Sequence, residues 1–483
     1  MSEEEGIVER LAAATRSSED ASKSNLEELR KESINFADRF YRRYLEQVLS
    51  ENSTTLINIK NVQIMNSQSF RSGFLSKQLG PLLSKNLVTL ETFLNCIDKA
   101  SHNLRKSQVV DNMIVSIHPL PKSLFSRSML SIDVIPMFNI IPSRKFTAKT
   151  GTNIGNGEGD GYIQFQLRNI FGGAEGLVFD AVSGTRTQSS YLVNYSQPIL
   201  NSLDYMVENL AFSYLRKLDW IQSEAGVKGM INKVYTQFSL PFNHEIAIEN
   251  VWRTLSNNRS KSFDVLSQLG HNLKSSLTYN FKYDTRDNLH LPFSGSLFRL
   301  GLEYGSLLSK APSKYLKGLL EMQCARRIND YNSLIFSTRA GLIYSLEGTS
   351  HILDRFYIGG PNDVRSFVLN GLGPKDYGSS IGGDAFLNGG VSLVSKFPLL
   401  KNDSNFKLHN FVNFGNLVPF DQGRFSNNII QDLTSRTSIS YGFGVLYNHP
   451  MARLELNLVL PLVAHERDYM RKGLQYGIGV SFL

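Results

Sequence analysis

The sequence predicts a mainly β protein, a sixteen-stranded transmembrane β-barrel preceded by one small α+β domain, and three observations carry that reading. From Lys145 to Leu483, segments of about ten residues alternate apolar with polar side chains, separated by Gly, Asn, Asp, Ser or Pro. The aromatics are mostly Phe (30) and Tyr (20) against 2 Trp, and there are 37 Gly, which supplies strand formers and turn residues. No run of about 18 apolar residues exists, which excludes a helical membrane protein. A mean hydropathy of −0.19 with 41% hydrophobic residues would, on bulk numbers, suit a soluble chain of two or three domains. A barrel gives the same numbers because only every second strand residue faces lipid. The excess of 51 Lys and Arg over 43 Asp and Glu is spread along the 483 residues, so it is not read as a nucleic-acid footprint.

Residues 1–50 form a polar leader. Within it Leu26, Leu29, Ile34, Phe36, Phe40, Tyr44 and Val48 share one face of an amphipathic helix, read as a surface helix, with a partner- or membrane-surface helix as the sharper alternative. The acidic start, Met1-Ser2-Glu3-Glu4-Glu5, has no apolar stretch and is not expected to be a secretory signal. Residues 51–143 have mixed periodicity. Thr55–Met65 reads as a strand, and Ser69–Leu83 as a short helix disturbed by Pro81. A longer helix follows, with Thr89 as N-cap and Leu90, Phe93, Leu94, Ile97 and Leu104 on one face. Strands near Val109–Ile117 and Leu130–Ile141 complete a small α+β domain. Two cysteines, Cys96 and Cys324, read as separate reduced thiols.

In residues 144–483 the helical pattern disappears. Leu454, Leu456, Leu458, Leu460 and Leu462 alternate with Arg453, Glu455, Asn457, Val459 and Pro461, and about sixteen such segments reach the terminus. A soluble sandwich would use strands of about 5 to 6 residues. These are longer, about the length of a tilted bilayer crossing. Their polar faces carry Arg, Lys, Glu and Asn, which suits a wet lumen better than a sandwich core. Closure also removes the two open edges that such a sheet would expose.

Catalysis finds no support. The nine His residues are scattered without metal-ligand spacing, and no phosphate-binding loop is present. Gly378-Ser379-Ser380-Ile381-Gly382 matches a nucleophile elbow only as a string, because a strand rather than a helix is expected after it. No enzyme activity, cofactor or metal is expected. The informative stretch is His351–Gly383, far longer than an ordinary hairpin connection and studded with Phe356, Tyr357, Phe367, Leu369 and Tyr377. Arg365, shouldered by Val364 and Phe367, looks like a charged tip able to fold into a polar lumen. The plainer alternative is a solvated Arg on an exposed loop.

These residues resemble the barrel-assembly insertases, a superfamily that includes bacterial BamA and the core barrel of the mitochondrial sorting-and-assembly machinery (SAM). Gly359-Gly360-Pro361 followed by Val364-Arg365-Ser366-Phe367 resembles the signature of the family's long sixth loop, with Ser366 where the motif has Gly. Asp284-Thr285-Arg286-Asp287 followed by Pro292 and Gly295 resembles a family connection between consecutive strands. The terminus fits the mitochondrial β-signal, polar-x-Gly-x-x-hydrophobic-x-hydrophobic, through Gln475, Gly477, Val480 and Phe482. Residues 51–143 resemble a single POTRA domain, the mitochondrial rather than the bacterial number.

The resemblance implies a core insertase of the mitochondrial outer membrane, with its N-terminal domain in the intermembrane space. It would fold and insert β-barrel precursors by templated strand pairing at a lateral gate. The first gate strand would hold Phe146, Thr147, Lys149 and Thr150, and the last strand would close upon it. Thr- and Gly-rich and charged at Lys149, that first strand reads as a poor lipid-facing strand. Implied partners are β-barrel precursors, the lipid bilayer and accessory SAM subunits on the cytosolic side. The outer-membrane translocase and inner-membrane contact-site complexes are further candidates, and no nucleic acid is implied. The bacterial partners of the loop Arg, a Glu and an Asp late in the barrel, find no counterpart in Ala385–Lys396 or Phe406–Gly415, which offer Asn413, and Asp384 is the nearest acid. The partner of Arg365 is thus left open. A passive outer-membrane pore and a polypeptide-translocating barrel are the alternative functions.

Overall fold

The computed structural model describes residues 41, 43–121, 131–155, 158–307, 314–397, 404–419, 428–449 and 453–479. The expected leader helix falls largely outside them, as do Val480 and Phe482. Residues 43–51 are helical, with Tyr44 and Leu49 exposed. Contacts divide the chain into two units, Met1–Gln68 with Leu75–Pro142, and Ser69–Phe74 with Ser143–Leu483.

The first unit is a small sheet beside helices. Strands β1 (Leu56–Ile59) and β2 (Gln63–Met65) both run parallel to the central β5 (Ser131–Pro142). The short β3 (Leu87–Thr89) pairs antiparallel with β1, and β4 (Val110–Pro119) antiparallel with β5. The single strand expected over Thr55–Met65 is therefore two, and β3 is an addition. The helix expected over Ser69–Leu83 divides into α1 (Ser72–Gln78) and α2 (Gly80–Leu83), because Pro81 lacks the N–H an interior position needs and instead begins a new helix. Helix α3 (Leu90–Lys106) starts as read: the Thr89 hydroxyl accepts from the Thr92 amide at 3.4 Å. It buries Phe93, Ala100 and Leu104, and β5 buries Val134, Phe138 and Ile140.

The second unit is built on one antiparallel 16-stranded sheet. Its strands are β6 (Phe146–Gly155), β7 (Glu158–Arg168), β8 (Gly176–Gly184), β9 (Thr187–Ile199), β10 (Ser202–Leu218), β11 (Ser223–Thr236), β12 (Phe242–Asn257) and β13 (Gly270–Asp284). They continue through β14 (Gly295–Gly305), β15 (Lys314–Arg327) and β16 (Asn332–Glu347). A two-strand hairpin, β17 (Lys375–Asp376) and β18 (Ser379–Ser380), interrupts the series inside the long connection. The sheet resumes with β19 (Ala385–Lys396), β20 (Phe406–Val418), β21 (Ser438–Asn448), β22 (Arg453–Val463) and β23 (Gly473–Gly479). Short helices α4 (Phe263–Leu266) and α5 (Asn428–Ser435) lie in the connections after β12 and β20. Each strand pairs with its sequence neighbour, with β16 joined to β19. The strands reach 17 residues in β10, longer than the roughly 9 to 13 the pattern predicts, while β23 runs to the edge of the described residues.

The pattern is inside out. On β22 the leucines are exposed, Leu456 at 50% and Leu460 at 48%, while Arg453, Glu455 and Asn457 between them are 4%, 3% and 2% exposed. Water on the outside would reverse that, so the outer wall is built for lipid and the lumen for polar groups. Among the described residues no helix is long and apolar enough to cross a membrane. Stacked Phe146, Phe165 and Phe179, with centroids 6.1 and 6.3 Å apart, form an aromatic band across β6, β7 and β8. The expected pairing of first and last strands is not found among the described residues: β6 and β23 are the two ends of the sheet.

Candidate functional site

The connection between β16 and β19 folds into the lumen. Its apolar residues Phe356, Ile358, Val364, Phe367 and Leu372 form one buried cluster with Tyr315, Ile343, Phe386 and Leu417 of the wall. The loop touches β12, β13, β15, β16, β19, β20, β22 and β23, so the sheet curls around it.

Two buried polar sites hold the loop. At its base, Asp354 accepts from Arg253 Nη1 of β12 at 2.8 Å and from the Tyr315 hydroxyl of β15 at 3.3 Å. Lys274 of β13 lies 3.8 Å away, and Lys317 Nζ donates to the Asp354 carbonyl at 2.8 Å. Burial pushes the neighbouring His351 imidazole down to about 4, with Arg253 acting in the same direction. The ring stays neutral at ordinary pH, so its Nδ1 is free to accept from the Leu353 amide at 3.2 Å.

The turn before the tip follows from its sequence. Gly359 and Gly360 have φ of +103° and +131°, a region closed to most side chains. Asp363 Oδ2 accepts from the Gly359 amide at 2.7 Å, and its Oδ1 from Asn388 of β19 at 2.6 Å. At the tip Arg365 is 1% exposed, which settles the solvated alternative against itself. Its Nε and Nη2 donate to the two oxygens of Glu455, each at 3.0 Å, a bidentate fork. Nη1 donates to Asn413 Oδ1 at 3.0 Å, and the guanidinium lies 4.6 Å from the Phe411 ring centroid. Glu455 is also ion-paired with Arg453, whose Nη2 lies 2.5 Å away, and accepts from Asn457 Nδ2 at 2.7 Å.

The missing partner is thus Glu455 on β22, beyond the strands where an acid was sought, with Asn413 as a second acceptor. Asp384 is engaged elsewhere, accepting from the Ser350 hydroxyl at 2.5 Å. The signal was present as the one acid interrupting the leucine alternation of β22.

Ser366 keeps the left-handed turn of the motif's Gly, at φ +75°. Its amide donates to Gln475 Oε1 on β23 at 3.1 Å, and its carbonyl accepts from the Arg471 amide at 2.9 Å. Val364 and Phe367 are fully buried on either side. The loop motif and the last strand, separate in the sequence argument, are therefore in contact. Gln475 and Gly477 both face the lumen, opposite Asn457 and Glu455.

On β6 the residues divide by face. Phe146 and Thr150 pair with Leu167 and Ile163 on the outer wall. Thr147 and Lys149 pair with Gln166 and Gln164 on the lumenal side. Lys149 therefore does not weaken the lipid-facing surface as expected, because the alternation turns it inward.

The connection between β13 and β14 is as tight as its composition implies. Arg286 Nε and Nη2 grip Asp284 at 2.9 Å each, and Nη1 donates to Gln323 of β15 at 2.8 Å. Asp287 Oδ1 accepts the amides of Asn288 and Phe293 at 2.9 Å and Ser294 at 3.3 Å. Pro292 is buried, and Gly295 sits at φ +101° with the Thr285 carbonyl where a Cβ would go. Gly295→Ala should lower stability by about 1–3 kcal/mol, read as a reduced melting temperature in detergent. An unchanged melt would show that the turn relaxes. Far from this region, Ser379 meets Ser260 at 3.1 Å in the β17–β18 hairpin, with β19 next in the chain rather than a helix.

A sheet of 16 strands with an apolar outer wall and its longest loop pinned in a polar lumen by a buried Arg–Glu fork defines a membrane-spanning β-barrel with an internal loop. The chain belongs to the Omp85 superfamily, whose domain matches residues 169–482. It is 32% identical over 475 residues to the sorting assembly machinery 50 kDa subunit of Saccharomyces cerevisiae, covering 90% of this chain and 96% of that protein. It is 29% identical over 356 residues to the sorting and assembly machinery component 50 homolog of Homo sapiens, covering 72% and 75%. The fold resembles BamA from Haemophilus ducreyi lacking POTRA domains 1-3, with TM-score 0.71, 13% identity and coverage of 88% and 84%.

Proposed function

We propose that this protein is the core insertase of a sorting-and-assembly machinery in the mitochondrial outer membrane. Its N-terminal unit would lie in the intermembrane space and its accessory subunits on the cytosolic side. The observation that carries the reading is the loop tip, where Arg365 is fastened to Glu455 and Ser366 to Gln475, placing the loop against the last strand of a family barrel. The relatives' names supply the process.

A precursor strand cannot enter lipid with unpaired N–H and C=O groups, each costing several kcal/mol. An edge strand offered as a template removes that cost by β-augmentation. In this reading β6 is the template, presenting Phe146 and Thr150 toward lipid and Thr147 and Lys149 toward the lumen. The precursor's last strand takes the place of β23 beside it. No residue acts as a catalyst in the covalent sense, and no cofactor is needed.

Disulfide crosslinking tests the gate. Thr147→Cys or Thr150→Cys should crosslink to a cysteine in the last strand of an arriving barrel precursor. Assembly that proceeds without any crosslink would remove the gate mechanism. A loop pinned inside the lumen disfavours the passive-pore reading, which steady wide single-channel conductance would restore.

A further inference from the structure

The outer wall has one place where lipid is a poor neighbour. On β10 the residues lining the internal cavity are Phe212, Tyr214 and Arg216, so Asn209, Ala211 and Ser213 alternate to the outside. Asn209 pairs directly with Asn232 of β11, a position on the same outer face. Along β11, Asn232 lies halfway between Thr236, paired with Tyr205, and Lys228, paired with Trp252. Tyr205 and Trp252 are exposed aromatics at the two edges of the apolar band, so the amide pair sits well inside it.

Each amide carries two donors and an acceptor. Among the described residues, neither Asn209 nor Asn232 makes a side-chain hydrogen bond. By contrast Asn250 of β12 and Ser275 of β13, also on the outer wall, share one bond, from the Ser275 hydroxyl to Asn250 Oδ1 at 2.7 Å. An unsatisfied amide in hydrocarbon is costly, and polar side chains in membranes join polypeptides to one another.

The shape beside the pair is specific. Ala211 and Ser213 make a low floor along β10, between Val193 and Tyr191 of β9 on one side and Met230 and Lys228 of β11 on the other. The trough spans two interstrand spacings, about 9.6 Å, close to the diameter of a helix with its side chains, about 10 Å. A floor of small residues is what close approach of a membrane helix needs.

We propose that the outer face of β10 docks one membrane-spanning α-helix of another polypeptide, which presents an amide or hydroxyl to Asn209 and Asn232 over the Ala211–Ser213 floor. The surface requires only the membrane barrel and is independent of insertion activity.

The test uses the full chain in lipid nanodiscs and two labelled synthetic Leu/Ala membrane helices, identical except that one has a central Asn. The Asn helix should bind about tenfold more tightly than the all-apolar one, as its interaction energy implies. Asn209→Leu with Asn232→Leu should abolish the preference, and Ala211→Trp should abolish binding while leaving both amides. Heat-modifiable electrophoretic mobility checks that each variant is folded, which the Leu pair should be, since lipid favours it. Equal binding of both peptides, or a preference that survives the Leu pair, overturns the proposal. If the Leu pair instead dissociates a dimer in sedimentation, the occupant is a second copy and the helix is wrong.

Discussion

Glu455→Gln should be the most damaging single substitution in the lumen. The carboxylate is shared by Arg365, at 3.0 Å, and Arg453, at 2.5 Å, and both guanidiniums are almost fully buried. Gln keeps the shape and removes the charge that both cations use. Breaking a buried pair from one side costs about 3–5 kcal/mol, and here one change breaks two. Arg365→Ala should cost less, because Glu455 retains Arg453. It should slow precursor assembly more than it lowers the barrel's melting temperature. The pair of measurements is thermal loss of heat-modifiable mobility and the assembly rate of labelled precursors in mitochondria. A Glu455→Gln barrel that melts with the native protein would refute the buried-fork account, and an unchanged assembly rate for Arg365→Ala would refute the loop's part in insertion.

Asp354→Asn should release the other end of the loop, at a cost of about 3 kcal/mol. Asp354 is the acceptor for Arg253, and Lys274 keeps Glu303 at 2.7 Å and Glu249 at 3.1 Å, so the loss is confined to one ion pair. The informative result is its combination with Glu455→Gln. Distant independent sites add within about 0.5 kcal/mol. If the loop is one packed body, the double variant should destabilise by at least 1 kcal/mol less than the sum, because the first release already loosens what the second would free. Strict additivity would show two independent anchors.

Much of this architecture was legible because barrel alternation is a local property. Leu454 through Leu462 announce a face without any knowledge of the neighbouring strand, and Thr89 announces a helix start by its own hydroxyl. The loop tip was legible as a motif, and its burial as one of two options. Its partner was not, since Arg365 and Glu455 are 90 residues apart and meet only through the curl of the sheet. The acid lies on β22, past β19 and β20 where the family pattern puts it. The side of β6 on which Lys149 lies was misjudged because composition was weighed without register, which fixes the face of every residue at once. The split of the first unit's opening strand came down to three residues between Ile59 and Gln63, too few for periodicity to report.

The loop's anchors have a mechanical meaning. Among the described residues the 16-strand sheet has two ends, β6 and β23, and the loop is a tie across its inside, fastened to β12 and β15 at one end and to β20, β22 and β23 at the other. Among the described residues, no hydrogen bond runs from the loop to β6, β7, β8 or β9. The loop therefore braces the strands toward β23 and not those toward β6. On that bracing, a force that widened the sheet should bend the arm that ends at β6, like a leaf spring, before the arm that ends at β23.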